Sequence, residues 1–158
     1  MAQISFSIVV VCLNPGEKLL KTVQSVLNQK YGNYEIVVKD GGSTDGSLEQ
    51  LPADSRIRVY TRPDSGIYDA MNQAMSYVTG QFVQFLNCGD LLHDDMVLER
   101  LAAVIERKRG RGADGEGLGH KEKERIFYGN QYHEAWGSVI YSAPVSYTHL
   151  RAHETAAN

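Results

Sequence analysis

The sequence predicts an α/β protein built on a mostly parallel sheet, and three observations carry that prediction. Short apolar runs rich in β-branched residues, Ser7–Leu13 (SIVVVCL), Glu35–Lys39 (EIVVK) and Phe82–Leu86 (FVQFL), have the look of strands covered on both faces. Segments with apolar residues at helical spacing separate them. The last of these runs stops at the polar turn Asn87-Cys88-Gly89-Asp90, and open α/β sheets place their ligands at the carboxyl ends of central strands.

Taken in order, Ser7–Leu13 is the first strand, and Asn14-Pro15-Gly16 ends it. From Glu17, Leu19, Leu20, Val23, Val26 and Leu27 form one face of a helix. Tyr31-Gly32-Asn33 turns the chain into the second strand, Glu35–Lys39, which completes a parallel strand–helix–strand crossover. That strand runs into Asp40-Gly41-Gly42-Ser43-Thr44-Asp45, where Ser43, Thr44 and Asp45 are all able to cap a short helix through Leu48 and Leu51. Arg56–Tyr60 alternates as a third strand. Ile67, Ala70, Met71, Ala74, Met75 and Val78 then predict an inward helix face, with Gly80 as its stop. The Phe82 strand follows, then a helix with Val97, Leu98, Leu101, Val104 and Ile105 inward. Arg107–Arg125 is rich in glycine and in charges of both signs, which predicts a mobile solvated loop rather than a basic membrane-binding site. Ile126–Gly129 reads as a further strand, and Tyr132–Tyr141 as another.

The chain has 158 residues, 42% hydrophobic and 22% charged, which suits one globular domain with a real core. A net charge of −3 gives no general attraction for nucleic acid or anionic lipid. No apolar run is long enough to cross a bilayer, and the N-terminus lacks a secretory layout. Cys12 and Cys88 make neither a disulfide framework nor a zinc spacing, so a cytoplasmic location is expected. If their strands are neighbours, the two read first as small buried thiols and only second as a redox pair.

Two turns carry candidate chemistry. Asp40 after the second strand either anchors a capped turn or accepts hydrogen bonds from a base or ribose. Asp90 after the Phe82 strand either shapes a turn or offers a hard oxygen to Mg²⁺ or Mn²⁺ on a diphosphate. Asp69 and Asn72 share one helix face, and Asp69 also suits the helix dipole. Neither a dinucleotide fingerprint nor a P-loop is present.

Val145–Thr155 (VSYTHLRAHET) has no clear apolar period and resembles a translated transposase-type sequencing adaptor. The expectation is a domain over residues 1–144, truncated at its C-terminus, followed by a non-native tail over 145–158; His149 and His153 are then not a metal pair.

Four segments in series, SIVVVCLNPGEKLLKTVQSVLNQ, EIVVKDGGSTDGS, RPDSGIYDAMNQAM and GQFVQFLNCGD, resemble the family 2 glycosyltransferases over about Ser5–Arg107. The resemblance implies the GT-A fold, a Rossmann-like three-layer sandwich with a mostly parallel sheet, here incomplete at the C-terminus. It implies transfer of a sugar from a nucleotide-diphosphate donor, usually UDP, with a divalent cation, Mg or Mn. The acceptor would be a saccharide or a lipid-linked saccharide in cell-surface polysaccharide synthesis. Many members act on lipid-linked acceptors from the cytoplasmic side, so peripheral association with the inner face of the plasma membrane is open.

On the matched positions, the resemblance implies a nucleotide site that includes Leu13, Asn14, Pro15, Asp40, Gly41, Asn87 and Cys88, with Asp40 contacting the base. Asp64, Asp69 and Asn72 lie along the nucleotide and sugar, and Asn87, Cys88 and Asp90 fall in the metal motif. That motif usually carries two or three aspartates; here Asn87 and Gly89 stand in acidic positions and only Asp90 keeps a carboxylate. A general base would lie downstream, where Glu134 is the nearby acid and its context does not match, so the donor half of a site is expected without the acceptor half. The alternatives are a non-catalytic nucleotide-sugar-binding fragment and a sugar-phosphate nucleotidylyltransferase; Leu13-Asn14-Pro15-Gly16 lacks the glycine-rich, basic loop of the latter.

Overall fold

The computed structural model describes residues 3–110, 130–133 and 138–141. The chain divides into two units, Met1–Gly112 and Ala113–Asn158. The first holds strands β1 (Phe6–Cys12), β2 (Tyr34–Asp40), β3 (Ile57–Thr61) and β4 (Phe82–Asn87), with helices α1 (Glu17–Leu27), α2 (Ile67–Ala74) and α3 (Val97–Gly110). The second holds an antiparallel pair, β5 (Asn130–His133) and β6 (Ser138–Tyr141). No helix among the described residues is long and apolar enough to cross a membrane.

The four strands of the first unit run parallel in the order β3-β2-β1-β4. Successive strands step outward from β1 to β3, and then α2 carries the chain back to the other side of β1. The order therefore reverses between β1 and β4, which creates a crevice at the carboxyl ends of those two strands. β1 is buried along its whole length, as the unbroken apolar run requires. On one face Val9, Val11 and Val37 pack with Ala70 and Ala74 of α2. Alternate residues such as Ile8 and Val10 point to the opposite face. α1 buries Leu19, Val23 and Val26, and α3 buries Leu98, Ala102 and Ile105. Backbone and side-chain bonds tie these two helices: Lys30 N–H donates to Asp95 O at 2.9 Å, and Leu98 N–H to Gln29 Oε1 at 3.1 Å.

Several expectations are corrected. β4 is the outer strand of the described sheet, not a central one, and is half-buried. The segment after β2 closes into a single 3₁₀ turn, Leu48–Gln50, with Ser47 at its start and no side-chain cap. Ser43 and Asp45 are engaged elsewhere, as described below. α2 stops at Ala74, and Ile67 and Met75 are 49% and 45% exposed. Gly80 instead starts the entry to β4: a Cβ there would lie 2.6 Å from the backbone of Phe6 and Ser7. Arg107–Gly110 belong to α3 and not to the expected loop. Positions 111–125 of the expected loop, the strand expected at Ile126–Gly129, Glu134 and the tail from Val145 lie outside the described residues. The single strand expected over Tyr132–Tyr141 is replaced by parts of a two-stranded pair.

Candidate functional site

A cleft of about 310 Å³ opens between the carboxyl ends of β1 and β4. Its wall combines Val11–Pro15 from β1 and its turn, Asn87 and Cys88 from β4 and its turn, Lys18 of α1 and Ile67 of α2. This is the reversal point of the strand order, so the topology and the cavity agree on one place.

The first wall is held by a latch between two loops. Asn14 adopts φ 46°, the left-handed region that asparagine tolerates better than most residues. Its N–H donates to Ser43 Oγ at 2.7 Å, and its Oδ1 accepts from Thr44 N–H at 2.9 Å. Ser43 Oγ in turn donates to Asp40 Oδ1 at 2.5 Å. One residue on, Gly16 N–H donates to Asp45 Oδ2 at 2.7 Å, and Asp45 also accepts from Ser47. The turn after β1 is thus fixed by the turn after β2.

Asp40 is fully buried, and its carboxylate is engaged by Gly42 N–H, Ser43 N–H and Ser43 Oγ. Burial pushes its carboxyl up, but the Ser43 hydroxyl and the Ser43 and Gly42 amides outweigh burial and hold it below the usual carboxylate range. In this arrangement its oxygens are engaged by the loop after β2 and by Cys12, so Asp40 supports that turn. Cys12 Sγ sits 3.8 Å from Asp40 Oδ1, and burial followed by the Asp40 charge pushes that thiol up to about 12.

The next residue, Gly41, is partly buried. A Cβ at Gly41 would lie 3.0 Å from Asp64 Oδ2, 3.4 Å from Leu13 Cδ1 and 3.6 Å from Cys12 O. Gly41, Leu13 and Asp64 therefore meet at one point. Asp64 is held from beneath by Lys39, whose side chain has no exposure; its Nζ donates to Asp64 Oδ2 at 2.9 Å, Arg62 O at 2.6 Å and Asp40 O at 3.1 Å.

The second wall is pinned to α1. Gly89, at φ 107°, donates its N–H to Thr22 Oγ1 at 2.8 Å, and Leu92 N–H donates to Ser25 Oγ at 3.2 Å. The turn closes through Asp90 N–H to Asn87 O at 2.9 Å. Asp90 is exposed, and among the described residues no ion pair or hydrogen bond engages its carboxylate. The register pairs Val11 with both Lys39 and Asn87, so the β2 and β4 turns lie two strand spacings apart, roughly 10 Å. Cys88 is half-buried; burial raises its thiol, while nearby Lys18 opposes that rise. Lys18 is exposed and supplies the cleft with a cation.

No group of three His, Cys, Asp or Glu that could hold a metal alone occurs among the described residues. A single exposed carboxylate fits a Mg²⁺ or Mn²⁺ site of another kind, one completed by water and the oxygens of a bound diphosphate. The structure separates the remaining sequence candidates. Asp69 accepts from Ser65 N–H at 2.8 Å, from Ser65 Oγ and from Gln73, which makes it a support for the start of α2. Asn72 is on the same helix and is not part of the cleft wall. Two lysines escaped the sequence reading. Lys18 looks like any exposed helix lysine, and its place beside the β4 turn needs the fold. Lys39 carried a signal, since a lysine inside an apolar strand must be paired if it is buried.

The family described as Glycosyl transferase family 2 matches residues 7–152. A PGL/p-HBAD biosynthesis glycosyltransferase of Mycobacterium bovis (strain BCG / Pasteur 1173P2) is 36% identical over 110 residues, covering 66% of this chain and 43% of the relative. Glycosyltransferase GlyG of Streptococcus pneumoniae serotype 4 (strain ATCC BAA-334 / TIGR4) is 31% identical over 127 residues, covering 77% of this chain and 42% of the relative. The chain thus spans less than half the length of these relatives. Among solved structures, S. aureus TarS in complex with UDP-GlcNAc superposes with a TM-score of 0.60 at 24% identity, covering 67% of this chain and 32% of that one. The mannosyltransferase PcManGT from Pyrobaculum calidifontis, in complex with GDP-Man and Mn²⁺, gives 0.57 at 20% identity, covering 67% of this chain and 32% of that one. At these identities the likeness is one of fold, and the fold is the GT-A α/β sandwich.

Proposed function

The chain belongs to glycosyl transferase family 2, and from that premise we propose that the β1–β4 cleft binds a nucleotide-diphosphate sugar, with UDP as the nucleotide. The observation that carries this reading is the coincidence of three features. The cleft lies at the reversal of strand order, the exposed cation Lys18 is part of its wall, and the exposed carboxylate of Asp90 stands on the adjoining turn. TarS bound to UDP-GlcNAc shares the fold and supports the choice of donor.

The chemistry follows from what these residues offer. Transfer breaks the bond from the anomeric carbon to the β-phosphate oxygen, forms a bond to an acceptor hydroxyl oxygen, and hands that hydroxyl's proton to a base. Lys18 would meet the diphosphate charge, and Leu13 would give the base an apolar face. Asp90 would hold Mg²⁺ or Mn²⁺, which when bound supplies Lewis-acid stabilisation of the leaving diphosphate. PcManGT, crystallised with Mn²⁺, lends support to the ion. The transfer is proposed to invert the anomeric centre, with a saccharide or lipid-linked acceptor at the cytoplasmic side of a membrane. The described residues are assigned the donor half of the reaction.

Calorimetric titration of the 158-residue chain with UDP, with and without Mn²⁺, tests the reading. Binding that tightens with Mn²⁺ and weakens in Asp90→Ala is expected. An absence of UDP binding under both conditions overturns it. Sugar transfer from a UDP-sugar, assayed separately, tells an active transferase from a fragment that only binds its donor.

A further inference from the structure

α1 turns a row of polar side chains toward the segment between β4 and α3. Lys18, Thr22 and Ser25 fall at helical spacing on one face, and Gln29, just past the helix end, continues the row. Lys18 lies against Gly89: a Cβ on that glycine would meet the lysine Cδ at 3.5 Å. Thr22 Oγ1 accepts from Gly89 N–H at 2.8 Å, and Ser25 Oγ accepts from Leu92 N–H at 3.2 Å. The Gln29 side-chain amide donates to Asp94 O and accepts from Leu98 N–H. Thr22 is fully buried, and alanine or leucine at its place would suit a helix better. What its hydroxyl adds is the bond to Gly89. The next residue, Asp90, is exposed and carries the carboxylate of this turn. The Thr22 bond therefore fixes the turn to α1 one residue before that carboxylate.

We propose that Thr22 is a positioning residue: by anchoring Gly89 to α1, it holds the Asp90 carboxylate where Mg²⁺ or Mn²⁺ can join it to the donor's diphosphate. The proposal rests on the donor-site reading above and assigns that site its support. These ions are strict about ligand placement, and groups behind a ligand govern metal affinity through it. Where several carboxylates share an ion, the others absorb a shift in one. Among the described residues no such group surrounds Asp90, so a displaced turn has no second carboxylate to fall back on. Thr22 is not part of the cleft wall, so its influence passes through the turn and not through contact with the nucleotide.

The test is calorimetric titration of UDP across a series of Mn²⁺ concentrations, on the wild-type chain, Thr22→Val and Thr22→Ser. Valine keeps the shape of the side chain and deletes the acceptor. The Mn²⁺ concentration that gives half of the tightening should rise at least about fivefold in Thr22→Val, the loss expected for one buried amide bond. Affinity for UDP without the ion should stay within about twofold of wild type, because no group on the cleft wall has changed. Serine restores the acceptor, so Thr22→Ser should bring the Mn²⁺ midpoint back to within about twofold of wild type. A merely structural hydroxyl would lower stability in denaturant and leave the Mn²⁺ midpoint where it was. That result overturns the role of Thr22 and leaves the donor site standing. No UDP binding to wild type, or binding that Mn²⁺ does not tighten, removes both. If Thr22→Val does not fold, Ser25→Ala takes its place, since it frees Leu92 two residues beyond Asp90. A raised midpoint there supports the hold from α1, and an unchanged one overturns it.

Discussion

The Asn14 N–H and the Ser43 hydroxyl oxygen lie 2.7 Å apart, and through this bond the loop after β1 is built upon the loop after β2. Ser43 serves both sides, accepting from Asn14 and donating to Asp40. Ser43→Ala should therefore cost about 1–3 kcal/mol, because it strands a buried carboxylate bond and an amide together. It should also weaken UDP binding through the displaced Asn14 turn. Urea denaturation and calorimetry on the same preparations check both effects.

Asp40 gives this latch a pH signature. Its carboxyl is held below the usual range in the fold, so its contribution is fully present above the unfolded value of about 4. It is lost as the pH falls through the lower folded value. Removing the Ser43 hydroxyl raises the folded value toward the unfolded one. The acid-unfolding midpoint of Ser43→Ala, followed by circular dichroism, should accordingly move to higher pH than that of the wild type.

Lys39 and Asp64 form an ion pair whose lysine end is fully buried and whose carboxylate is partly exposed. Lys39→Met removes the buried partner of a partly exposed carboxylate that still accepts from Gly66 N–H, and should destabilise by about 1–3 kcal/mol. The double variant Lys39→Met, Asp64→Leu removes both charges and should recover much of that loss. A double-mutant cycle in denaturant measures the coupling, and additive losses would show that the pair is not coupled.

Lys18 should act on the diphosphate and not on the base. Lys18→Ala is expected to weaken UDP several-fold and uridine hardly at all, with a shallower salt dependence of UDP binding. Because Lys18 is exposed, thermal stability should change little. Equal losses for UDP and uridine would place the phosphates elsewhere.

The two thiols report on the cleft without mutation. Cys12 is buried and its thiol is raised to about 12, so thiolate is scarce at neutral pH and labelling should be very slow. Cys88, half-buried in the cleft wall, should be labelled first by a thiol reagent. Saturating UDP should slow that reaction severalfold, as mass spectrometry of the labelled chain can follow.

Much of this architecture was written in local pattern. Continuous apolar runs located β1, β2 and β4, and the 3.6-residue period located α1 and α3. The failures share a cause: each depended on contacts made after folding. Gly80 has the look of a helix stop, yet its lack of a side chain serves the close passage of β4 beside Phe6 and Ser7. Asp40 and Asp64 are both aspartates in strand-end turns, and nothing in their neighbours tells which one is consumed by its own loop. That distinction comes from Lys39, whose charge can enter the interior only because Asp64 and two carbonyl groups converge on it. Ile67 fits the helical period of a core face, but the reversal of strand order beside it leaves a crevice there instead of packing.

The strand order has a consequence for how the protein is made. β1, β2 and β3 can assemble from the first sixty or so residues, whereas the wall bearing Cys88 arrives only when β4 adds to the far side of β1. A chain emerging from the ribosome would hold a half-formed groove until β4 docks. Ligand that recognises both walls would then favour the finished arrangement by mass action, so abundance of the donor in the cell would itself help the newly made sheet to close.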